Sequence, residues 1–227
     1  MKSFSEIKSL STQQFKSNWK LPVLFSIITL ILTYLANYYE NGNIIINILV
    51  ILFSIYSTNL YLNIVKYNEC SSIKIPINKL FKCIGFSILN AILMFVLSFV
   101  LIFVSTFVAL SNYPSALIFI ILTLIFITVF TFGIYLSFSL YLILDMDYKV
   151  FESVKYSFLY MNGNVLKTLW LYITFIPWVI LGAITLGLGF LYIMPYLEIV
   201  YANYYIELKN SYNSRLVSEN DLFDNNF

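Results

Sequence analysis

The chain has 227 residues, of which 60% are apolar, 19% are aromatic and only 11% are charged. Soluble domains carry roughly 25% charged residues, so this composition excludes an ordinary soluble protein, and its hydrophobicity excludes a disordered one. The chain has no histidine, which excludes a histidine general base, a serine–histidine–aspartate triad and a histidine-ligated metal. The net charge of +2 gives no indication of nucleic-acid binding. The composition therefore predicts a protein embedded in a lipid bilayer.

Six runs of mostly apolar residues are long enough to cross a hydrocarbon core of roughly 30 Å, which takes about 20 helical residues. The runs fall into three pairs, and the last pair is separated by a Gly-x-Gly that begins at Gly187. We therefore predict an all-α membrane protein with six transmembrane helices arranged as three hairpins, in a single domain over residues 1–208. The predicted spans lie near 21–39, 44–65, 84–110, 116–144, 168–186 and 188–207.

The basic residues predict the orientation of these spans. All of them fall before the first span, between the second and third, between the fourth and fifth, or after the sixth. The loops on the other side contain no basic residue, and Glu40 is the charged residue there. Because lysine and arginine collect in cytoplasmic loops, we expect both termini in the cytoplasm. The polar segment 209–227 is expected to be a disordered cytoplasmic tail.

Each hairpin is preceded by a basic segment with an amphipathic helical pattern. In the first, Ser3 and Glu6 form a capping box, and in the second Pro76 suits the start of a helix. In the third, Asp147 can cap a helix and Gly163 can end it. Such helices lie in the headgroup layer, where each lysine near anionic lipid contributes roughly 1 kcal/mol, and a cytoplasmic partner surface is the alternative. The apolar face of the third helix is predicted to be Val150, Phe151, Val154, Phe158 and Met161.

Glu198 is the carboxylate that falls inside a predicted span, roughly 15 Å from either end of its helix. An ionised group at that depth is costly, which favours a proton or cation site or a polar anchor facing the bundle. A wet groove beside a kinked helix, or a protonated carboxyl, is the alternative. Polar residues on the second helix, together with Asn90, either line a polar path or form hydrogen bonds between helices. Those on the second helix are Asn47, Ser54, Thr58, Asn59 and Asn63.

Prolines and glycines are concentrated in the last two predicted spans. Broken helices in transporters expose backbone groups to ligands, and Pro195 would leave the carbonyl of Leu191 without its helical partner. Close packing and kinking of helices is the alternative. The candidate helix-break positions are Pro177, Gly187, Gly189 and Pro195.

Asp145 and Asp147 have the Asp-x-Asp spacing that holds Mg²⁺ in some lipid-active transferases. Two carboxylates without further acids or a phosphate-binding arginine are a weak indication of a metal site. Helix capping and loop solvation are the interpretation that we favour. The sequence therefore predicts no catalytic residue, no metal site and no cofactor.

The last third of the chain carries a series of short motifs. They are Leu144-Asp145, Ser157, Met161-Asn-Gly-Asn164, Thr174-Phe-Ile-Pro-Trp178, Leu181-Gly182, Leu186-Gly-Leu-Gly189, Met194-Pro-Tyr196 and Ala202-Asn-Tyr-Tyr205. In this order they resemble the Gram-positive integral membrane proteins catalogued as domain of unknown function 975. The resemblance covers residues 144–208, although Pro177 stands where the family usually has glycine. It implies a six-helix bacterial membrane protein without an agreed activity and supplies no catalytic residues.

We therefore expect a non-enzymatic polytopic protein of the bacterial cytoplasmic membrane that acts as an accessory, scaffold or envelope-protection component. The alternative is a small transporter or lipid-handling protein that uses a polar path near Glu198. The expected partners are the lipid bilayer, in particular anionic lipids of the inner leaflet, and either another membrane protein or a second copy of the chain. Nucleic acid is not expected to bind.

Overall fold

The computed structural model describes residues 2–38, 44–70, 74–110 and 115–224. Over these ranges the chain is all-α, as the sequence predicts, and no strand is present in them. Residues 39–43, between the first and second predicted spans, and residues 111–114, between the third and fourth, lie outside the described residues. The helices are α1 (Phe4–Asn18), α2 (Lys20–Tyr38), α3 (Ile44–Tyr67), α4 (Ile77–Leu110), α5 (Ser115–Leu136), α6 (Ser139–Met146), α7 (Val150–Met161), α8 (Val165–Ile173), α9 (Ile176–Ile184) and α10 (Phe190–Asp224).

Five segments of the described chain, rather than the six predicted, are long and apolar enough to cross a membrane. All but the first two residues of the predicted sixth span, 188–207, belong to α10, which carries Glu198, Asn203 and several tyrosines. This helix packs against α1, α2, α3, α7 and α9. Because neighbouring helices cover much of α10, its polar side chains need not face lipid, and its composition is less apolar. The five segments are Lys20–Tyr38, Ile44–Tyr67, Ile77–Phe107, Phe119–Met146 and Val165–Ile184.

The predicted fourth span, 116–144, consists of two helices that meet at Ser137 and Phe138. Ser157 of α7 occupies this interruption. Its hydroxyl donates to the carbonyl oxygen of Tyr135 at 2.6 Å and accepts from the backbone N–H of Phe138 at 3.3 Å. A side chain inserted into the helical hydrogen-bond ladder is an established cause of a kink. The kink is therefore imposed by a residue about twenty positions further along the chain.

The predicted fifth span is also divided, into α8 and α9, with Thr174 and Phe175 between them. Pro177 lies in the first turn of α9. A proline there removes an N–H that has no partner within the helix, and its fixed φ suits the helix start. The proline of the Thr174-Phe-Ile-Pro-Trp178 motif thus marks the beginning of a new helix.

The first amphipathic segment forms α1, which begins at the predicted capping box. The Ser3 N–H donates to Glu6 Oε2 at 2.8 Å, and the Glu6 N–H donates to Ser3 Oγ at 3.3 Å. The hydrogen bond from the Ser3 backbone is the main reason that the pKa of Glu6 lies below its ordinary value. The helix start is therefore fixed locally, within the four residues from Ser3 to Glu6.

One face of α1 is buried against α10. The Asn203 side-chain amide donates to Ser11 Oγ at 2.9 Å and to Gln14 Oε1 at 2.7 Å. Phe15 packs edge-on against the Tyr192 ring, with 4.7 Å between the ring centroids. The Lys8 ammonium lies 5.9 Å from the centre of the Phe175 ring, and partial burial lowers the pKa of Lys8. These contacts make α1 part of the helix bundle.

The second and third amphipathic segments differ from the prediction. A separate interfacial helix before the third span is not present, because α4 begins at Ile77 and continues without a break. The third segment forms α7, but Asp147 ends α6 with a left-handed φ of 59° and does not cap α7. The predicted N-cap role of Asp147 is therefore wrong, and the N–H of Lys149 bonds to Glu152 Oε2 instead, at 3.1 Å. The predicted apolar face also differs, since Phe151 is exposed and the buried residues of α7 are Ser153, Ser157, Tyr160 and Met161.

The core is richest in aromatic rings where α6 meets α10. Phe138 is fully buried, and its ring centroid lies 5.0 to 6.2 Å from those of four tyrosines. Rings at these separations contribute about 0.5–1.5 kcal/mol per pair beyond the burial of their area. The four tyrosines are Tyr141, Tyr201, Tyr204 and Tyr205.

The segment after residue 208 continues α10 as far as Asp224, where the sequence analysis expected a disordered tail from residue 209. Lys209 Nζ lies 2.8 Å from Asp145 Oδ2. The Tyr212 ring packs against Tyr160, with ring centroids 4.9 Å apart. These contacts hold the first turn after residue 208 against α6 and α7.

Candidate functional site

Glu198 lies on α10 where two grooves meet. Its side chain is exposed, and both grooves are lined in part by it. The Tyr141 hydroxyl donates to Glu198 Oε2 at 3.3 Å. The carboxyl group is therefore held from α6 on one side and open to the grooves on the other.

The larger groove, here called the hydroxyl groove, has a volume of about 610 Å³. It runs between α2, α3 and the first three turns of α10. Its polar side chains recur every three or four positions along α2 and along α3, so each set forms one face of its helix. The polar lining residues are Ser26, Thr29, Thr33, Tyr34, Asn37, Ser54, Ser57, Thr58, Tyr61 and Glu198.

Several hydroxyl protons in this groove are already used by the backbone of their own helix. Thr29 donates to the Phe25 carbonyl at 2.8 Å, and Thr58 donates to the Ser54 carbonyl at 3.0 Å. Ser57 bonds in the same way, to the carbonyl four residues before it. A hydroxyl has one proton and two lone pairs, so these side chains can offer only acceptor lone pairs to a ligand. Together with Glu198 they form a surface that suits a cation or a hydrogen-bond donor.

The second groove, the tyrosine groove, has a volume of about 470 Å³ and lies on the other side of Glu198. The Tyr201 hydroxyl donates to Ser137 Oγ at 2.5 Å at the kink between α5 and α6. The Tyr172 and Tyr201 rings stack with 5.8 Å between their centroids. The interruption of the fourth span therefore forms part of the wall of this groove.

The structure divides the polar residues that the sequence grouped into one path. Ser54 and Thr58 line the hydroxyl groove with Glu198, whereas Asn59 and Asn63 line a separate pocket at the end of α3. Asn47 is exposed and Asn90 is half-buried. The polar residues of α3 that line the hydroxyl groove are therefore joined there by polar residues of α2. The Ser and Thr residues of α2 were not among those that the sequence predicted to line a polar path.

Two of the candidate helix-break positions lie in the turn between α9 and α10. The other two lie at the start of α9 and inside α10. Gly187 has a φ of 89°, which favours glycine, and the Gly189 N–H donates to Thr185 Oγ1 at 2.8 Å. Pro177 lies at the start of α9, as described above. Pro195 lies inside α10, which continues through it, because the loss of one N–H affects only one hydrogen bond of a long helix. Pro195 was expected to leave the carbonyl of Leu191 without its helical partner. Leu191 lines the hydroxyl groove.

Close packing accompanies this turn. A Cβ added at Gly182 would lie 2.5 Å from the Phe190 ring, and one added at Gly189 would lie 3.1 Å from Gly182 Cα. The two glycines thus allow α9 and the start of α10 to approach closely, as small residues do in membrane helices.

Asp145 and Asp147 do not form a shared metal site. Asp145 accepts hydrogen bonds from Lys66 through Oδ1, and from Lys209 Nζ at 2.8 Å and the Tyr205 hydroxyl at 2.9 Å through Oδ2. Asp147 Oδ1 lies 3.0 Å from Lys82 Nζ. Among the described residues no group of three His, Cys, Asp or Glu could hold a metal ion.

The Asp145 cluster, consisting of Asp145, Lys66, Lys209 and Tyr205, was missed by the sequence analysis. Its acid side chain is only 3% exposed, and its partners come from α3 and α10. The lysines are 79 and 64 positions away in sequence. The available signal was the position of an acid at the end of a span, close to a surplus of lysines.

The comparisons with known proteins identify one family. The model of one family, described as Protein of unknown function (DUF975), matches residues 1–212. No curated protein and no solved structure matches the chain. The match covers nearly the whole chain, including α1 and the five candidate spans, so the chain belongs to the family of proteins of unknown function DUF975.

Proposed function

We propose that this chain is a six-span, non-enzymatic protein of the bacterial cytoplasmic membrane, and that it binds a cationic amphiphile in the hydroxyl groove. The observation that carries the proposal is Glu198, a carboxylate exposed to a groove whose walls are lined by hydroxyl oxygens. This is the transporter or lipid-handling alternative of the sequence analysis. It takes precedence over the accessory role because α2 and α3 both direct polar faces toward the same carboxylate.

Glu198→Gln is expected to weaken binding of dodecylammonium about tenfold, with binding of dodecanol unchanged. A charge-assisted hydrogen bond contributes about 1.5–3 kcal/mol, and tenfold corresponds to about 1.4 kcal/mol. Isothermal titration calorimetry of the protein in lipid nanodiscs measures both ligands. Glu69→Gln removes the same charge from an exposed position beyond α3 and serves as the control. Equal affinity of the two variants for dodecylammonium would contradict the proposal.

The proposed topology has both termini in the cytoplasm and all basic segments on that side. Lysines from separate segments of the chain support it, since Lys66, Lys82 and Lys209 all contact acids at the end of α6. Reporter domains fused after Asn43 and Ser115 are expected to lie outside, and those fused after Lys74 and Tyr156 inside. An alkaline phosphatase and fluorescent protein pair measures each position. A reversed result at any one position would rule out this six-span topology.

A second candidate is the accessory or scaffold role, in which the chain contacts another membrane protein or a second copy. It is favoured by the α4–α5 hairpin. No side chain is buried from Ser87 to Phe107 on α4, or from Phe119 to Gly133 on α5. This hairpin offers a long apolar surface for lateral contact. The Glu198→Gln experiment distinguishes the two candidates, because a scaffold that uses the α4–α5 hairpin does not need the carboxyl group.

The lipid bilayer, with anionic lipids on the inner leaflet, is the proposed partner of the basic segments. Lys2 and Lys16 are exposed, the first just before α1 and the second on its last turn. Lysines in such positions attract anionic lipid by roughly 1 kcal/mol each. We propose no catalytic role for Asp145 or Asp147, because lysines neutralise both acids.

A further inference from the structure

A small polar pocket lies between the end of α3, the start of α4 and the end of α6. Its volume is about 190 Å³, which suits a headgroup-sized ligand and not an acyl chain. Three lysines line it and only one carboxylate does. This lysine pocket consists of Lys66, Lys74 and Lys79, with Asn59, Asn63 and Asp145 beside them.

The charges of the pocket are not balanced. Asp145 is shared between Lys66 and Lys209, so it cannot neutralise the other two lysines of the pocket. Lys79 Nζ donates to a neutral group, the Leu144 carbonyl, at 3.2 Å. Lys74 has no hydrogen-bond or ion-pair partner among the described residues. The lysine pocket therefore carries excess positive charge.

The first turn of α4 adds to this potential. Pro76 lines the pocket, and its carbonyl accepts the first helical hydrogen bond, from the Leu80 N–H at 3.0 Å. The preceding N–H groups of the helix have no acceptor within it, and they carry the positive end of the helix dipole. Such a terminus attracts anions, and here it lies beside the three lysines.

We propose that the lysine pocket binds a phosphate group, carried either by the headgroup of an anionic lipid or by free phosphate. Phosphate suits this site because ammonium groups and helical N–H groups are its usual protein ligands. Basic pockets between membrane helices on the cytoplasmic side bind anionic headgroups in the same way. The lysine pocket would be a specific binding site, in addition to the diffuse attraction between the basic segments and anionic lipid. This proposal does not depend on the hydroxyl groove.

Native mass spectrometry of the full chain tests the lipid source, with phosphatidylglycerol compared with phosphatidylcholine. Lys74→Gln is expected to weaken phosphatidylglycerol binding about fivefold, and Lys74→Gln with Lys79→Gln about thirtyfold. These values follow from roughly 1 kcal/mol for each lysine. Lys155→Gln on α7, outside the pocket, removes the same charge and is the control. Because Lys74 has no partner in the described structure, its single variant is expected to keep the fold.

Thermal unfolding of the same variants with added inorganic phosphate tests the free-anion source. Stabilisation by phosphate that is lost in Lys74→Gln and retained in Lys155→Gln supports a site for free phosphate. Selective loss of phosphatidylglycerol binding supports the lipid headgroup. If Lys155→Gln weakens lipid binding as much as Lys74→Gln does, the lysines act only as a diffuse surface charge and the pocket proposal fails. If neither ligand responds to Lys74→Gln, the proposal also fails, whatever the result for Glu198.

Discussion

Asp145→Asn is expected to lower the free energy of unfolding by about 3–5 kcal/mol, the range for breaking a buried ion pair by removing one partner. The Asp145 side chain is 3% exposed and accepts hydrogen bonds from two lysines and a tyrosine. The neutral amide leaves Lys66 and Lys209 close together without the charge that offsets their repulsion. Because these partners belong to α3 and α10, the variant loosens three helices at once.

Asp147→Asn is the matched control, two positions further along the same chain segment. Its side chain is 52% exposed and pairs with Lys82 alone. Exposed ion pairs contribute about 0–1 kcal/mol, so the control is expected to lose no more than that. Reversible unfolding in mixed micelles titrated with sodium dodecyl sulfate, followed by circular dichroism, measures both variants. Equal losses for the two aspartates would show that the Asp145 cluster does not hold the helices together.

Asn203→Leu is expected to release α1 from α10 and to cost about 2–3 kcal/mol. The Asn203 amide donates to Ser11 Oγ, Gln14 Oε1 and the Ile199 carbonyl within 3.1 Å. Gln14 is 7% exposed, so its side-chain oxygen would lose its partner in a buried position. An unsatisfied buried polar group costs about 1–3 kcal/mol. The replacement leaves the size of the side chain similar while it removes every one of these hydrogen bonds.

The same micelle titration measures the loss of stability, and limited proteolysis measures the release of α1. In Asn203→Leu, cleavage within α1 is expected to precede cleavage elsewhere. Asn210→Leu lies on an exposed face of α10 and makes the same chemical change, so it is expected to alter stability by no more than about 0.5 kcal/mol. Protection of α1 in both variants would contradict the role assigned to Asn203.

The parts of this fold that depend on local sequence could be predicted. The apolar runs predicted the five segments that are long and apolar enough to cross a membrane, and the pair Ser3 and Glu6 predicted the start of α1. Gly163, with a φ of 75°, lies in the turn after α7 where a left-handed residue was expected. Hydropathy, capping and glycine conformation each act within a few residues, so one sequence is enough to recognise them.

The parts that depend on distant residues could not be predicted in this way. The kink at Ser137 has neither proline nor glycine, and it depends on the Ser157 hydroxyl. Asp145 has the same chemistry as Asp147 in the sequence, yet only Asp145 is enclosed by lysines from two other helices. Glu198 was recognised as exceptional, but its groove was not, because part of the polar lining comes from serines and threonines of α2 that resemble ordinary membrane-helix residues.

The short helix α6 connects the carboxyl group of Glu198 with the lysine pocket. Tyr141 and Asp145 are four positions apart, so both point from one face of a helix of only 8 residues, about 6 Å apart along its axis. Tyr141 bonds to Glu198, and Asp145 bonds to Lys66, which lines the lysine pocket. If a ligand bound in the proposed hydroxyl groove draws Glu198 away from Tyr141, it therefore acts on the same short helix that carries Asp145 at the lysine pocket. If both proposed sites bind their ligands and α6 moves between the two, their occupancies are thermodynamically linked, and by reciprocity each ligand changes the affinity of the other by the same factor.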